Sequence, residues 1–413
     1  MIEGWEHKSL GSICSIARGG SPRPIQAFLT DAADGINWIK ISDATASGKY
    51  IYRTAEKIKP VGAGRSRLVK EGDFLLSNSM SFGRPYIMRT SGCIHDGWLV
   101  LSGYLGAFDQ TFLYYLLGSP QVFSQFDRLA AGSTVRNLNI DLASRVVVPV
   151  PPLPEQRRIV AILDEAFEAI ATAKANTEKN LQNARGLLET ARRDAYNSFA
   201  EGHRHKTLGT CCYFENGDRG KNYPGKAHRV SSGVPFINAG HLTEDGVDFL
   251  KMDYISPERF ALLGNGKIRT RDILFCLRGS LGKFACVDDL EQGAIASSLV
   301  ILRPKQELNS DYLLEYLAGP QCAEQIDKYK GGAAQPNLGA KDLKRFELPL
   351  PPIEVQEDIA TRLQNLKSGV REVEDLLAAK LAALEDLKKS LLHQAFTGAL
   401  AAKSTDKQLE AVA

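Results

Sequence analysis

The sequence predicts an α+β protein built by tandem duplication: two α+β domains, each followed by a long α-helix, the two helices pairing as a coiled coil. Three observations predict it. A strand–proline–helix junction is written twice, "VVVPVPPLPEQRRIVAIL" at 146–163 and "FELPLPPIEVQEDIATRL" at 346–363. One offset of 200 residues aligns Leu113 to Ala195 with the second half without a gap, through Leu113/Leu313, Pro120-Gln121/Pro320-Gln321, Gln125/Gln325, Gln156/Gln356 and Leu181/Leu381. Apolar residues then recur at steps of three and four along the stretch after each junction.

The elements follow in order. Short runs bounded by Gly, Asp or Pro read as strands: "INWIKIS", "GDFLLSN", "WLVLSGYL" and "RVVVPV", with "VPFINAG", "RDILFCL", "SSLVILRP" and "RFELPL" as counterparts. "QTFLYYLLGSPQVFSQFDRLA" and "SDYLLEYLAGPQCAEQIDKYK" each read as a helix pair broken at Gly/Pro. The first domain is therefore 1–154 and the second 203–354. Long helices follow over 155–202 and 355–400, about 65–70 Å each, and the tail 401–413 is expected to be disordered. Pro154 is tolerated in a first turn, and Glu155 there suits the helix dipole. The first seam runs through Ile159, Leu163, Ala166, Ile170, Ala173, Leu181 and Leu188. The second runs through Ile359, Leu363, Val370, Val373, Leu377, Leu381, Leu387 and Leu391. Each seam most simply buries the other; the alternative is that each helix lies along its own domain.

Bulk properties exclude several classes. The 413 residues are 44% hydrophobic and 24% charged, as in a soluble globular protein with more than one core. No signal peptide or apolar run of about 20 residues is present, so no membrane role and a cytoplasmic location are expected. Seven cysteines without short paired spacing argue against a disulfide framework and a zinc site. The net charge of +3 neither demands nor forbids nucleic acid, although residues 1–150 carry 16 basic against 12 acidic side chains.

Catalytic motifs are missing. "GKNYPGKA" at 220–227 nearly matches a phosphate loop, but Ala227 replaces the Mg²⁺-binding hydroxyl and no strand–helix context surrounds it. "HRHK" at 203–206 reads as a hydrated linker. What recurs in both halves are glycine-rich loops with cations: "ARGGSPRP" with "ENGDRGKNYPGK", "SNSMSFGRP" with "CLRGSLGKF", and "AGSTVRNLN" with "GGAAQPNLG". Such loops bring N–H groups and Arg/Lys tips to phosphates and polar side chains to base edges.

These residues resemble the DNA specificity subunit of type I restriction–modification enzymes. The likeness rests on Asp73-Phe74-Leu75 with Ser81 and Gly83-Arg84, on Gly132-Ser133-Thr134, and on Pro149 to Gln156. It is repeated at Asp272-Ile273-Leu274 with Ser280 and Gly282-Lys283, at Gly331-Gly332, and at Pro349 to Gln356. The second copy departs where "GGAAQPNLG" lacks the Ser-Thr pair. The resemblance implies two target recognition domains, each reading one half of an asymmetric bipartite site in double-stranded DNA. It also implies an antiparallel helix pair with pseudo-two-fold symmetry that sets the spacer. It implies no catalysis and no cofactor in this chain. Two methyltransferase subunits would bring S-adenosylmethionine, and motor–nuclease subunits would bring ATP and Mg²⁺.

On this reading the DNA-contacting residues are Arg18, Arg23, Lys40, Ser81, Arg84 and Arg136 in the first domain. In the second they are Arg219, Lys221, Asn238, His241, Arg278 and Lys283. The helix-pair interface is expected at Leu163, Ile170, Leu181, Leu188, Leu363, Val370, Leu381 and Leu391. A specificity subunit serving a fused nuclease–methyltransferase partner, or a two-lobed scaffold without a DNA role, are the rival readings.

Overall fold

The computed structural model describes residues 4–78, 82–130, 138–198, 205–288, 290–332 and 336–400. It divides into two compact units, Met1–Thr177 with Ala379–Ala413, and Glu178–Ala378. The division falls inside the long helices, so the boundaries expected at 154 and 354 mark changes of element rather than of compact unit. Each unit holds one α+β lobe, the first part of the helix leaving it and the last turns of the other helix. The expected tail 401–413 lies outside the described residues.

The first lobe is closed at its base by an antiparallel ribbon, Glu6–Ser9 with Val147–Val150. A five-stranded sheet follows, ordered Ser15–Arg18, Trp98–Ser102, Phe74–Ser77, Pro85–Met88, Tyr50–Ile51. A four-stranded sheet is ordered Glu56–Ile58, Ile36–Ile39, Gly92–Ile94, Arg67–Val69. Side chains alternate across a strand, and here both faces are covered. Phe74 and Leu76 enter the cluster of Phe112, Leu116 and Phe126, while Leu75 packs with Ile39, Met88 and Trp98. Only the first half of "INWIKIS" is a strand: a helix opens at Ile41, with the Asp43 carboxylate accepting the Lys40 N–H at 2.8 Å.

The second lobe repeats this wiring. Its base is His205–Thr207 with Glu347–Pro349. Its sheets are ordered Cys212–Asn216, Leu299–Pro304, Asp272–Cys276, Phe284–Val287, and Arg229–Val230, Asp253–Ile255, Val234–Ile237, Gly293–Ile295, Lys267–Ile268. Ile273 and Phe275 face one cluster, Leu274 and Cys276 the other. A hairpin, Leu242–Thr243 with Gly246–Val247, stands where the first lobe has the helix Ile41–Ser47, and it has no counterpart among the described residues of that lobe.

The doubled junction has a specific task. Gln156 is fully buried; its Oε1 accepts the Asp109 N–H at 2.8 Å, and its Nε2 donates to Ala107 O and Pro151 O, each at 2.8 Å. Gln356 does the same with Asn309 N–H (2.9 Å), Glu307 O (2.9 Å) and Pro351 O (2.8 Å). Asp109 and Asn309 in turn cap the helices Gln110–Leu117 and Ser310–Leu317. One amide thus satisfies three buried backbone groups at each joint.

The long helices are Leu153–Asn197 and Ile353–Thr397, 45 residues each. They start two residues earlier than the expected 155 and 355, because the Pro152 and Pro352 carbonyls already take the Gln156 and Gln356 N–H groups. In the first unit Ile159 and Leu163 share a core with Leu392, Ala395 and Phe396, and Lys174 meets Glu385 at 3.0 Å. In the second, Ile359 and Leu363 share a core with Tyr196, and Arg185 meets Glu374 at 2.6 Å. Within each unit one helix therefore descends as the other rises: the pairing is antiparallel. Ile170 and Val370 are buried, and Leu181, Leu188, Leu381 and Leu391 are half-buried. Val373 and Leu387, expected in the seam, are 43% and 47% exposed. Helical drift puts Glu374 on the inner side in place of Val373, and Lys388 covers the Phe167 ring with its Nζ 5.3 Å from the centroid.

Candidate nucleic-acid interface

In the first lobe the strand Ser15–Arg18 runs into "GGSPRP". Gly19 leaves no room for a side chain, since a Cβ would lie 2.1 Å from the His95 carbonyl oxygen. Asp96 then gathers the loop. Its carbonyl accepts Arg18 Nε (3.0 Å) and Asn78 Nδ2 (2.7 Å), and its carboxylate takes Ser21 Oγ at 2.7 Å and Arg23 Nη2 at 3.3 Å. The Ser21 hydrogen bond, foremost, holds the Asp96 carboxyl below the usual carboxylate range. Arg18 and Arg23 are thus exposed yet tethered, which lowers the entropy lost when a ligand is gripped.

Arg84 stands at the exit of a hairpin between Phe74–Ser77 and Pro85–Met88. Gly83 takes φ +73°, in the left-handed region, and its N–H reaches Ser77 O at 2.8 Å. Gly282 (φ +82°) closes the equivalent hairpin onto Cys276 O at 3.0 Å, which leaves Lys283 exposed in the same role. Lys40 is half-buried and paired with Glu56 at 2.6 Å. Lys40 and Arg23 line a cleft of about 1210 Å³ together with Trp38, Ile41, Thr45 and His95. Burial, foremost, lowers the His95 pKa, and its Nδ1 accepts the Gly97 N–H at 2.8 Å, so the ring is a neutral Nε2–H donor. Ser81 and Arg136 lie outside the described residues.

In the second lobe Gly217 meets the Ala296 carbonyl as Gly19 meets that of His95, with a Cβ 2.6 Å away. Asp218 accepts the Gly220 N–H (2.7 Å) and the Gly264 N–H (2.9 Å), which fixes the loop that carries exposed Arg219 and Lys221. Arg219 also donates to Ser297 O at 3.2 Å. Arg278 is exposed, and its backbone bridges to Asn337, which ties the hairpin to the third loop. Asn238 spends its amide on Asp253 (3.2 Å) and the Gly240 N–H (2.8 Å). His241, also expected to contact DNA, is held inside its loop. It is 8% exposed; its Nδ1 accepts the Asn238 N–H at 3.2 Å, and its Nε2 lies 3.2 Å from Lys251 O. It shapes the loop. The near-match to a phosphate loop ends in a short 3-10 turn, Lys226–His228, and the strand Arg229–Val230, so no helix N-terminus faces it.

Sequence reasoning missed Asp96, Trp38, His95 and the cleft. Its weight lay on residues repeated in both halves, and His95-Asp96 meets Ala296-Ser297 in the second. Arg229 was missed as well. Its guanidinium lies 3.9 Å over the Phe236 ring, the equivalent of Trp38.

Two like lobes with exposed cationic loops, each lobe rooted on a paired helix, fit the class of two-part DNA-recognition proteins. A model of the type I restriction modification DNA specificity domain matches residues 2–183 and again 207–381, and the chain belongs to that family. It is a DNA-recognition specificity subunit of the type I restriction–modification kind. The EcoBI specificity subunit of Escherichia coli is 23% identical over 97% of this chain and 87% of its own length. The EcoKI specificity subunit of Escherichia coli strain K12 is 24% identical over 97% and 90%. The HsdS subunit of Thermoanaerobacter tengcongensis has the same fold at a TM-score of 0.63 and 21% identity, covering 96% of this chain and 98% of its own. A chain from a structure describing complex assembly and conformational transition of the type I R-M system reaches 0.78 at 21% identity, covering 96% and 98%. No helix among the described residues is long and apolar enough to cross a membrane.

Proposed function

We propose that each lobe reads one half of an asymmetric bipartite DNA sequence and that the length of the paired helices sets the spacer between the halves. Arg18, Arg23, Lys40 and Arg84 would grip DNA from the first lobe, and Arg219, Lys221, Arg278 and Lys283 from the second. The chain itself is non-catalytic in this reading. Two methyltransferase subunits carry S-adenosylmethionine, and motor–nuclease subunits carry ATP and Mg²⁺.

One observation carries the reading. The same latches and hairpins recur in both lobes, while the side chains standing on them differ. That is what two unlike half-sites read by one scaffold require. Methylome sequencing of cells expressing the chain with its methyltransferase tests it. The expected result is methylation within a motif of two unlike halves around a fixed gap. Seven residues inserted after Thr177 and after Ala378 should lengthen the gap and leave both halves unchanged. Altered bases at an unaltered gap would sink the ruler; methylation without any sequence preference would sink the reading as a whole.

A further inference from the structure

Each lobe receives the last turns of the long helix it does not emit, and the two receiving sockets are chemically unlike. In the second unit Arg192 enters a buried site on the helix Ser310–Leu317 and pairs with Glu315, Nη2 to Oε2 at 2.8 Å, with side chains only 10% and 6% exposed. Beside it Tyr196 packs on Tyr312 at 4.9 Å between ring centroids and donates its hydroxyl to the Tyr312 carbonyl at 2.6 Å. At the offset of 200 residues the first unit has Leu392 for Arg192, Tyr115 for Glu315, and Phe396 against Phe112 at 5.3 Å for the tyrosine pair. Leu392 and Phe396 are buried in an apolar cluster against which Tyr115 packs. Common to both sockets is a glutamine clasp: Gln321 donates to Arg193 O at 2.9 Å, and Gln121 to His393 O at 3.2 Å.

We infer that these sockets are mutually exclusive keys that force the unlike halves of the chain to pair and reject pairing of like halves between two copies. If first halves met each other, Arg192 would meet the Tyr115 ring in place of Glu315, and the Asp164 carboxylate there is exposed and already accepts the Tyr115 hydroxyl. If second halves met, Glu315 would be sealed beneath Leu392. Either arrangement strips a charge of its buried partner, and twice in each dimer, whereas the clasp alone would accept both. A duplicated chain has this problem by origin, because its halves began as self-complementary partners. The inference concerns assembly and holds whichever bases the lobes read.

The test uses the full-length protein with a specific protease site inserted between Asn197 and His205. It is cut after folding, unfolded in urea, refolded and weighed by native mass spectrometry. Unlike pairs should exceed like pairs by more than about a hundredfold. In Arg192→Leu with Glu315→Tyr both sockets become apolar, and like pairs should rise toward their statistical share. Tyr115→Glu with Leu392→Arg makes both sockets charged and should have the same effect, so either variant that refolds decides the matter. Like pairs at statistical abundance from the unaltered protein, or full exclusion retained in the refolded variant, would overturn the proposal.

Discussion

The two lobes differ least where a side chain serves the backbone and most where it faces outward. Gln125 trades two hydrogen bonds with the Val147 backbone at 2.9 and 3.0 Å, and Gln325 repeats them with Glu347 at 2.8 Å each. Gln156 and Gln356 are equally interchangeable. The outward faces are not. The first lobe holds an open cleft above Trp38, whereas the second places Tyr223 edge-on to Phe236 at 5.9 Å and lays Arg229 over the same ring. The lesson is energetic. A buried N–H or C=O without a partner costs about 1–3 kcal/mol, so its partner cannot drift; a solvated loop side chain can change at almost no cost in stability.

The largest contrast should come from the helix sockets. Glu315→Ala leaves Arg192 buried and unpaired and should destabilise the second lobe by about 3–5 kcal/mol. Tyr115→Ala in the first lobe removes a half-buried ring edge-on to Phe167 and should cost about 1 kcal/mol beyond its lost area. Urea unfolding measures both. Equal losses would mean that the Glu315 carboxylate is better hydrated than its burial indicates, and the asymmetry of the sockets would lose its force.

Next come the latches, where the lobes should agree. Gln156→Ala and Gln356→Ala each orphan one buried N–H and two carbonyls, for about 2–3 kcal/mol apiece. Glutamate at either position should not rescue, because an ionised carboxylate cannot donate to two carbonyls. A difference of more than about 1 kcal/mol between the lobes would show that the joints are not equivalent.

On the reading faces the effect is smaller and confined to one half-site. Arg84→Ala should weaken binding to one half of the target by about 1–3 kcal/mol, and Lys283→Ala should weaken the other half. Competition with DNA altered in one half at a time reads this. Uniform loss for all sequences would assign both cations to phosphates.

Much of this was legible in the residues because the chain states it twice. The offset of 200 residues located the junctions, both helix pairs and the long helices, and periodicity found the seams up to Val373 and Leu387. At Val373 the drift between 3.5 and 3.6 residues per turn moved the inner position to Glu374, and beside the exposed Leu387 it is Lys388, itself exposed, that reaches the Phe167 ring. The role of Gln156 was invisible: its repetition was noticed, but two of its three partners lie 47 and 49 residues away in sequence. The burial of His241 was not legible either, because polarity and position in a loop say nothing of burial. The cleft was hidden for another reason. Arg23 and Lys40 on its rim were singled out, but the residues between them come from separate segments, 21–26, 38–46 and His95, that only the fold brings together.

The smallest expected difference is one of pH, and it tests whether partial burial sets the ionisation of His95. Its folded-state pKa is lowered, chiefly by burial, so the unfolded chain binds the proton more readily. Stability from this residue is therefore present above the ordinary imidazole pKa of about 6.5 and is lost as the pH falls below it. The second lobe has Ala296 at the matching place and should show no such loss. All three tryptophans, Trp5, Trp38 and Trp98, belong to the first lobe, so their fluorescence follows that lobe alone through urea unfolding. Between about pH 7 and 5 its midpoint should fall, and His95→Gln, which retains an acceptor for the Gly97 N–H, should flatten the slope. An unchanged slope in His95→Gln would place the acid sensitivity elsewhere and leave the imidazole free to titrate as a contact for DNA.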